Sequence, residues 1–131
     1  MDRPLRILLV EDHDLSGEML MRRLARRGFE VSWARDGAEG VALAFELRPD
    51  LVIMDLSLPL LDGIAATTRI KATPETAAIP VIVLTAHTTP EAQRACAQAG
   101  ADAWQTKPVD FDLLMRRIES IRAGGAPGGG R

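Results

Sequence analysis

Three uninterrupted apolar runs of strand length, Ile7-Leu8-Leu9-Val10, Leu51-Val52-Ile53-Met54 and Val81-Ile82-Val83-Leu84, are separated by longer segments of helical period. Strands that alternate with helices in this way form a parallel sheet covered by helices on both faces, and strands buried on both faces read as continuous apolar runs. Two weaker runs complete five such units, with strands expected at Leu5–Val10, Glu30–Ala34, Leu51–Met54, Val81–Leu84 and Ala103–Thr106. The fold class is therefore α/β, a doubly wound, five-stranded parallel sheet.

Helix ends are written in the sequence. Asp36 followed by Glu39 resembles a capping box, and Ala38, Val41, Ala42 and Phe45 then share one helical face. Thr89-Pro90-Glu91 supplies a capping hydroxyl, a first-turn proline and an acid, and Gly100 suits a left-handed stop. Asp110 can cap a last helix whose stripe of Phe111, Leu114, Met115, Ile118 and Ile121 packs on the sheet. The first helix is expected from Asp14 to Arg27 before Gly28, and the third from about Asp62-Gly63 to Ala72, with a loop over Thr73–Pro80. Residues 1–122 make one domain. Residues 123–131 are a glycine-rich stretch too poor in apolar side chains to fold, either a disordered tail or a linker cut short.

Composition narrows the function classes. A chain of 131 residues, 47% apolar and 26% charged, has the balance of a soluble globular domain. Its formal charge of −2 gives no broad electrostatic reason to bind nucleic acid directly or to adhere to an anionic membrane. Cys96, the one cysteine, cannot form an internal disulfide and reads as a small buried hydrophobe on a helix. No apolar run approaches the ~20 residues of a membrane span and no signal-peptide pattern opens the chain, so a cytoplasmic location is expected.

Ligands of open parallel sheets bind beyond the carboxyl ends of the strands, where the strand order reverses. With the order 2-1-3-4-5, strands one and three flank that crevice, and Glu11, Asp12 and Asp55 converge on it. Thr85 and Lys107 follow the fourth and fifth strands at the same edge. Carboxylates that close remain ionised together only around a cation, and an oxygen donor set completed by waters suits Mg²⁺. Such a set fits phosphoryl transfer, which depends on positioning and charge neutralisation: Asp55 as a carboxylate nucleophile, with Lys107 and Thr85 contacting the phosphoryl oxygens by charge and by hydrogen bond.

These residues resemble those of the receiver domain of two-component and phosphorelay response regulators, over roughly Leu5 to Ile121. Leu9-Val10-Glu11-Asp12 is similar to that family's acidic pair. The segment Asp55-Leu56-Ser57-Leu58-Pro59-Leu60-Leu61-Asp62-Gly63 resembles its phosphoacceptor loop, Leu84-Thr85-Ala86 its switch hydroxyl, and Gly100-Ala101-Asp102 through Lys107-Pro108 its last strand and lysine. The resemblance implies a flavodoxin-like (βα)5 fold. It further implies that Asp55 takes a phosphoryl group from a sensor histidine kinase or a histidine phosphotransfer protein, the chain catalysing its own phosphorylation and dephosphorylation. Mg²⁺ would be held by Glu11, Asp12, Asp55 and the backbone carbonyl of Ser57. Thr85 and Trp104 would form the switch, Ser57 and His87 would tune hydrolysis, and Lys107-Pro108 would be cis. Gly63 would serve a backbone turn, and His13, like His87, would modulate from the active edge. A downstream effector protein would read the face made by the fourth helix, fifth strand and fifth helix, through which two copies could also pair.

Other readings meet specific obstacles. The acidic segment Glu11-Asp12-His13-Asp14, with three carboxylates, would repel a flavin phosphate, and no G-x-G-x-x-G follows the first strand for a dinucleotide. A Mg²⁺-dependent aspartyl-phosphate phosphatase would want a second acid where Ser57 stands. A degenerate receiver that binds partners without phosphorylation is disfavoured by the complete acceptor, acidic pair, hydroxyl and lysine.

Overall fold

Each expected strand is present and in the expected place. The computed structural model describes residues 3–56, 60–86 and 88–124, with backbone alone at 56, 60 and 61. In chain order the elements are β1 (Arg6–Val10), α1 (Asp14–Arg26), β2 (Glu30–Ala34), α2 (Gly37–Leu47), β3 (Leu51–Leu56), α3 (Leu60–Ala72), β4 (Val81–Thr85), α4 (Pro90–Ala99), β5 (Ala103–Thr106) and α5 (Phe111–Arg122). All neighbouring strands are parallel, in the order β2-β1-β3-β4-β5.

Side chains alternate across each strand and so divide the core into two layers. Ile7, Leu9, Leu51, Ile53, Ile82, Leu84 and Ala103 face one side, where Leu20 and Leu24 of α1 and Phe111, Leu114, Met115 and Ile118 of α5 close over them. On the other side Leu8, Val10, Val52, Met54, Val81 and Val83 meet Ala44 of α2, Ala66 and Ile70 of α3 and Cys96 of α4. The central strands are buried on both faces, which is why they read as unbroken apolar runs.

The capping residues act as their sequence positions imply. Asp36 Oδ1 accepts from the Glu39 N–H at 2.8 Å, and Glu39 Oε1 returns to the Arg35 N–H at 2.6 Å. Thr89 accepts from the Ala92 N–H at 3.2 Å and Asp110 from the Leu113 N–H at 3.0 Å. Gly28 and Gly100 hold φ of 92° and 95° after α1 and α4, a conformation that costs a residue without Cβ little. Asp102 latches the opposite end of the sheet, its Oδ2 accepting from the Val81 N–H at 2.8 Å and the Lys71 ammonium at 2.9 Å.

Four local expectations are corrected. Of the expected α2 face, Ala38, Val41, Ala42 and Phe45, only Val41 packs against the core, and it is partly buried; Gly37, Gly40 and Ala44 are the buried residues, while Ala38 and Ala42 are exposed and Phe45 is 49% exposed. Close approach decides this, because a Cβ on Gly40 would stand 2.8 Å from Cγ2 of Val10. Helix α3 starts at Leu60, so Gly63 is buried in its first turns and serves no turn. Helix α1 stops at Arg26, Arg27 being its cap. Strand β3 runs past Asp55 to Leu56, since both pair with β4 as Asp55↔Leu84 and Leu56↔Thr85. The expectation for 123–131 falls almost wholly outside the described residues.

Candidate functional site

Three hydrogen bonds hold Glu11 just beyond β1. Its N–H donates to the Ala34 carbonyl at 2.9 Å, extending the β1–β2 ladder by one residue. Its carbonyl accepts from the Trp33 indole N–H at 2.9 Å, and its carboxylate Oε2 accepts from the His13 N–H at 2.8 Å. The residue is fully buried. Strand parity then aligns the charged groups: Glu11, Asp55 and Lys107 continue the alternation of Leu9, Ile53 and Gln105, so all three tend to the same side of the sheet edge.

Asp55 is 4% exposed, beside the Glu11 carboxyl and ion-paired with the Lys107 ammonium. Burial, reinforced by the hydrogen bond and charge of Glu11, raises its pKa to about 7 against the opposing pull of Lys107. Two buried carboxyl groups thus share one ammonium. Thr85, 1% exposed, ends β4, and its carbonyl accepts from the Lys107 N–H at 2.9 Å, which ties the lysine-bearing loop to the neighbouring strand. The Lys107-Pro108 peptide is cis, as the resemblance implied.

The other expected residues are less gathered. Asp12 follows Glu11 in the chain but is exposed, and among the described residues no three of His, Cys, Asp and Glu stand together as a ready-made metal cage. A pair of carboxylates still fits Mg²⁺, which keeps several waters and is commonly held by one or two acids. A cation beside Asp55 would offset the burial, and the neighbouring Glu11, that disfavour its ionised form. Trp104 is half-buried against the α2–α4 layer, on the parity shared by Val83 and Thr85 of β4. His13 caps α1, its Nδ1 accepting from the Ser16 N–H at 3.3 Å. Ser57 and His87 lie outside the described residues.

Sequence reasoning missed Trp33. Its indole packs against α1 over Gly17, where an added Cβ would meet the ring Nε1 at 2.9 Å and two ring carbons closer still. The Arg35 guanidinium covers the ring 4.1 Å from its centroid and pairs with Asp14. A usable signal existed: an isolated glycine inside a helical pattern costs stability and often marks a close packing partner.

Comparison with known proteins agrees with this geometry. The family model for the response regulator receiver domain matches residues 7–119. The chain is 38% identical to the protein PilH of Pseudomonas aeruginosa over 119 residues, covering 91% of this chain and 98% of that protein. It is 35% identical over 116 residues to the DNA-binding dual master transcriptional regulator RpaA of Synechocystis, covering 88% of this chain but 48% of RpaA. It therefore spans about half the length of that relative. Among solved structures, the receiver domain of the sensor histidine kinase PA1611 of Pseudomonas aeruginosa, with a magnesium ion coordinated in its active site cleft, superposes with a TM-score of 0.83 at 32% identity, covering 92% of this chain and 98% of that one. The chemotaxis protein CheY4 of Vibrio cholerae gives a TM-score of 0.82 at 27% identity, covering 90% and 98%. With five parallel strands in the order β2-β1-β3-β4-β5, an acid pair and a lysine at their carboxyl edge, and a family match over nearly the whole folded region, this chain belongs to the response regulator receiver domains of two-component signalling.

Proposed function

We propose that the chain is a phosphorylation-driven switch in which Asp55 is the phosphoacceptor. The supporting observation is the group formed by the buried Glu11 and Asp55 and the half-buried Lys107, where a carboxylate at the end of a central strand faces both a second acid and an ammonium. In the transfer an Asp55 oxygen attacks phosphorus while the P–N bond of a donor phosphohistidine breaks, giving an acyl phosphate and a free imidazole. Lys107, already paired with Asp55, turns its charge to the phosphoryl oxygens. The Thr85 hydroxyl is the hydrogen-bonding group that follows the phosphoryl group, with Trp104 moving in company. Glu11, Asp12, Asp55 and the Ser57 carbonyl would hold Mg²⁺, as the magnesium in the PA1611 cleft suggests. That ion supplies neutralisation of the charge developing on the transferred group. Hydrolysis of the acyl phosphate by water returns the carboxylate, with Ser57 and His87 tuning its rate.

The donor is a sensor histidine kinase or histidine phosphotransfer protein, and the reader is an effector protein that recognises α4, β5 and α5. The same face could pair two copies. No helix among the described residues is long and apolar enough to cross a membrane, and a cytoplasmic setting fits such partners.

Acetyl phosphate with Mg²⁺ tests the acceptor. Intact-mass measurement is expected to show one added phosphoryl group on the wild type and none on Asp55→Asn or in excess chelator. An adduct that persists on Asp55→Asn rejects the assignment. Amide exchange with and without beryllofluoride tests the reading face: protection changes should fall on α4, β5 and α5, and changes restricted to α1 and α2 would reject it.

A further inference from the structure

We infer that Trp33 is a positioning residue for the acidic edge, pinning the Glu11 backbone so that its carboxylate is presented to the cation and to Asp55. This rests on the acceptor reading above and assigns a role within that site to a residue on a strand that carries none of the reacting groups.

Both backbone hydrogen-bonding groups of Glu11 are held from β2. The N–H is held by the Ala34 carbonyl and the carbonyl by the Trp33 indole, each at 2.9 Å. The first is ordinary sheet pairing continued past the end of β1. The second is a side chain reaching to the residue that follows the strand. With both ends held, the side chain leaves the backbone in one direction, and the His13 N–H donated to Oε2 at 2.8 Å sets the carboxylate plane. Trp33 thus fixes where the loop turns from β1 into α1.

The indole is itself held for this task. Its inner face lies on α1 at Gly17, where any Cβ would collide with the ring, and Arg35 covers its outer face at 4.1 Å while pairing with Asp14 of the same helix. The ring belongs to the α1–α5 side of the core, the side toward which Glu11, Asp55 and Lys107 tend. Glycine at 17 is unfavourable within a helix, and the space it leaves is taken by the indole. A purely packing role would require the ring but not its N–H.

Trp33→Phe separates these roles by keeping an aromatic ring and removing the donor. Gly17→Ala provides an independent variant that retains the donor and displaces the ring. Full-length protein titrated with Mg²⁺, followed by the amide resonances of residues 11–13 and 55, should bind about three- to tenfold more weakly in either variant, the range expected from one hydrogen bond. Amide exchange at Asp12 and His13 should quicken even without metal. The Mg²⁺ concentration for half-maximal acetyl-phosphate labelling should rise, while labelling at saturating Mg²⁺ stays within about twofold of wild type. Gly17→Ala should lose most of its effect when combined with Trp33→Phe, since the two act through one contact. Unchanged Mg²⁺ affinity in Trp33→Phe, or an equal effect of Gly17→Ala with and without Trp33, overturns the inference. A wild type that is labelled normally alongside an indistinguishable Trp33→Phe defeats this inference alone; a wild type that neither binds Mg²⁺ nor is labelled defeats the acceptor reading and this one together.

Discussion

At the scale of single residues, Asp55 combines a chemical role with a thermodynamic cost. Its pKa is raised to about 7 from an ordinary 3.8, so the fold disfavours its ionised form. As pH rises from about 4 the unfolded chain loses its Asp55 proton first, and the native state loses stability until about pH 7, beyond which the penalty is complete. Asp55→Asn should therefore stabilise the metal-free protein by roughly 1–3 kcal/mol at pH 8. The gain falls short of the full shift because Lys107 loses its ion-pair partner. Urea denaturation at pH 8 and pH 5 measures it, and the gain should shrink at the lower pH; a gain that grows with acidity contradicts the assigned direction. Mg²⁺ binding by the wild type should weaken as pH falls through the same interval, as the proton and the cation compete for one carboxylate.

Among the elements, α2 shows how packing overrides periodicity. A stripe of Ala38, Val41, Ala42 and Phe45 would pass as the buried face of an amphipathic helix, yet the buried residues are Gly37 against α3, Gly40 against Val10 of β1, and Ala44, with Val41 alone of the stripe packed at the core's edge. Gly40 lets the helix come close to β1 and Gly37 lets it come close to α3, and Val41 and Phe45 are left on the flank toward α3, where they line a cleft with Arg69, Thr73 and Thr76. Gly40→Ala should destabilise by about 1–2 kcal/mol, although alanine is the better helix former, because the new methyl group meets the fully buried and rotationally stiff Val10. Phe45→Ala should change stability far less than burial of a phenylalanine would require. Chemical denaturation of the two variants distinguishes them, and the reverse ranking would mean that α2 packs by its apolar stripe.

For the whole molecule, two core layers share one sheet, and each layer carries its own tryptophan. Trp33 packs with the α1–α5 layer and Trp104 with the α2–α4 layer. Because every central strand contributes side chains to both layers, neither layer can melt without exposing the other, and unfolding should be a single cooperative event. Fluorescence of Trp33→Phe reports one layer and that of Trp104→Phe the other. In each variant the fluorescence transition in urea should coincide with that of far-ultraviolet circular dichroism. Separate midpoints within either variant would show layers that unfold independently.

Burial leaves its mark on residue type, and so the strands and caps were legible in the chain itself. Unbroken apolar runs can only be satisfied between two layers, and Asp36, Thr89, Gly100 and Asp110 stand where helix ends require a short polar acceptor or a left-handed turn. The acids and the lysine were legible for a related reason: polar residues directly after buried strands must gather at one sheet edge. Tertiary contact alone decided the rest. The packed face of α2, the burial of Gly63, the exposure of Asp12 and the grip of Trp33 on Glu11 depend on how closely two elements approach. That distance is set by the side chains of both partners at once, and a linear pattern records only one partner at a time.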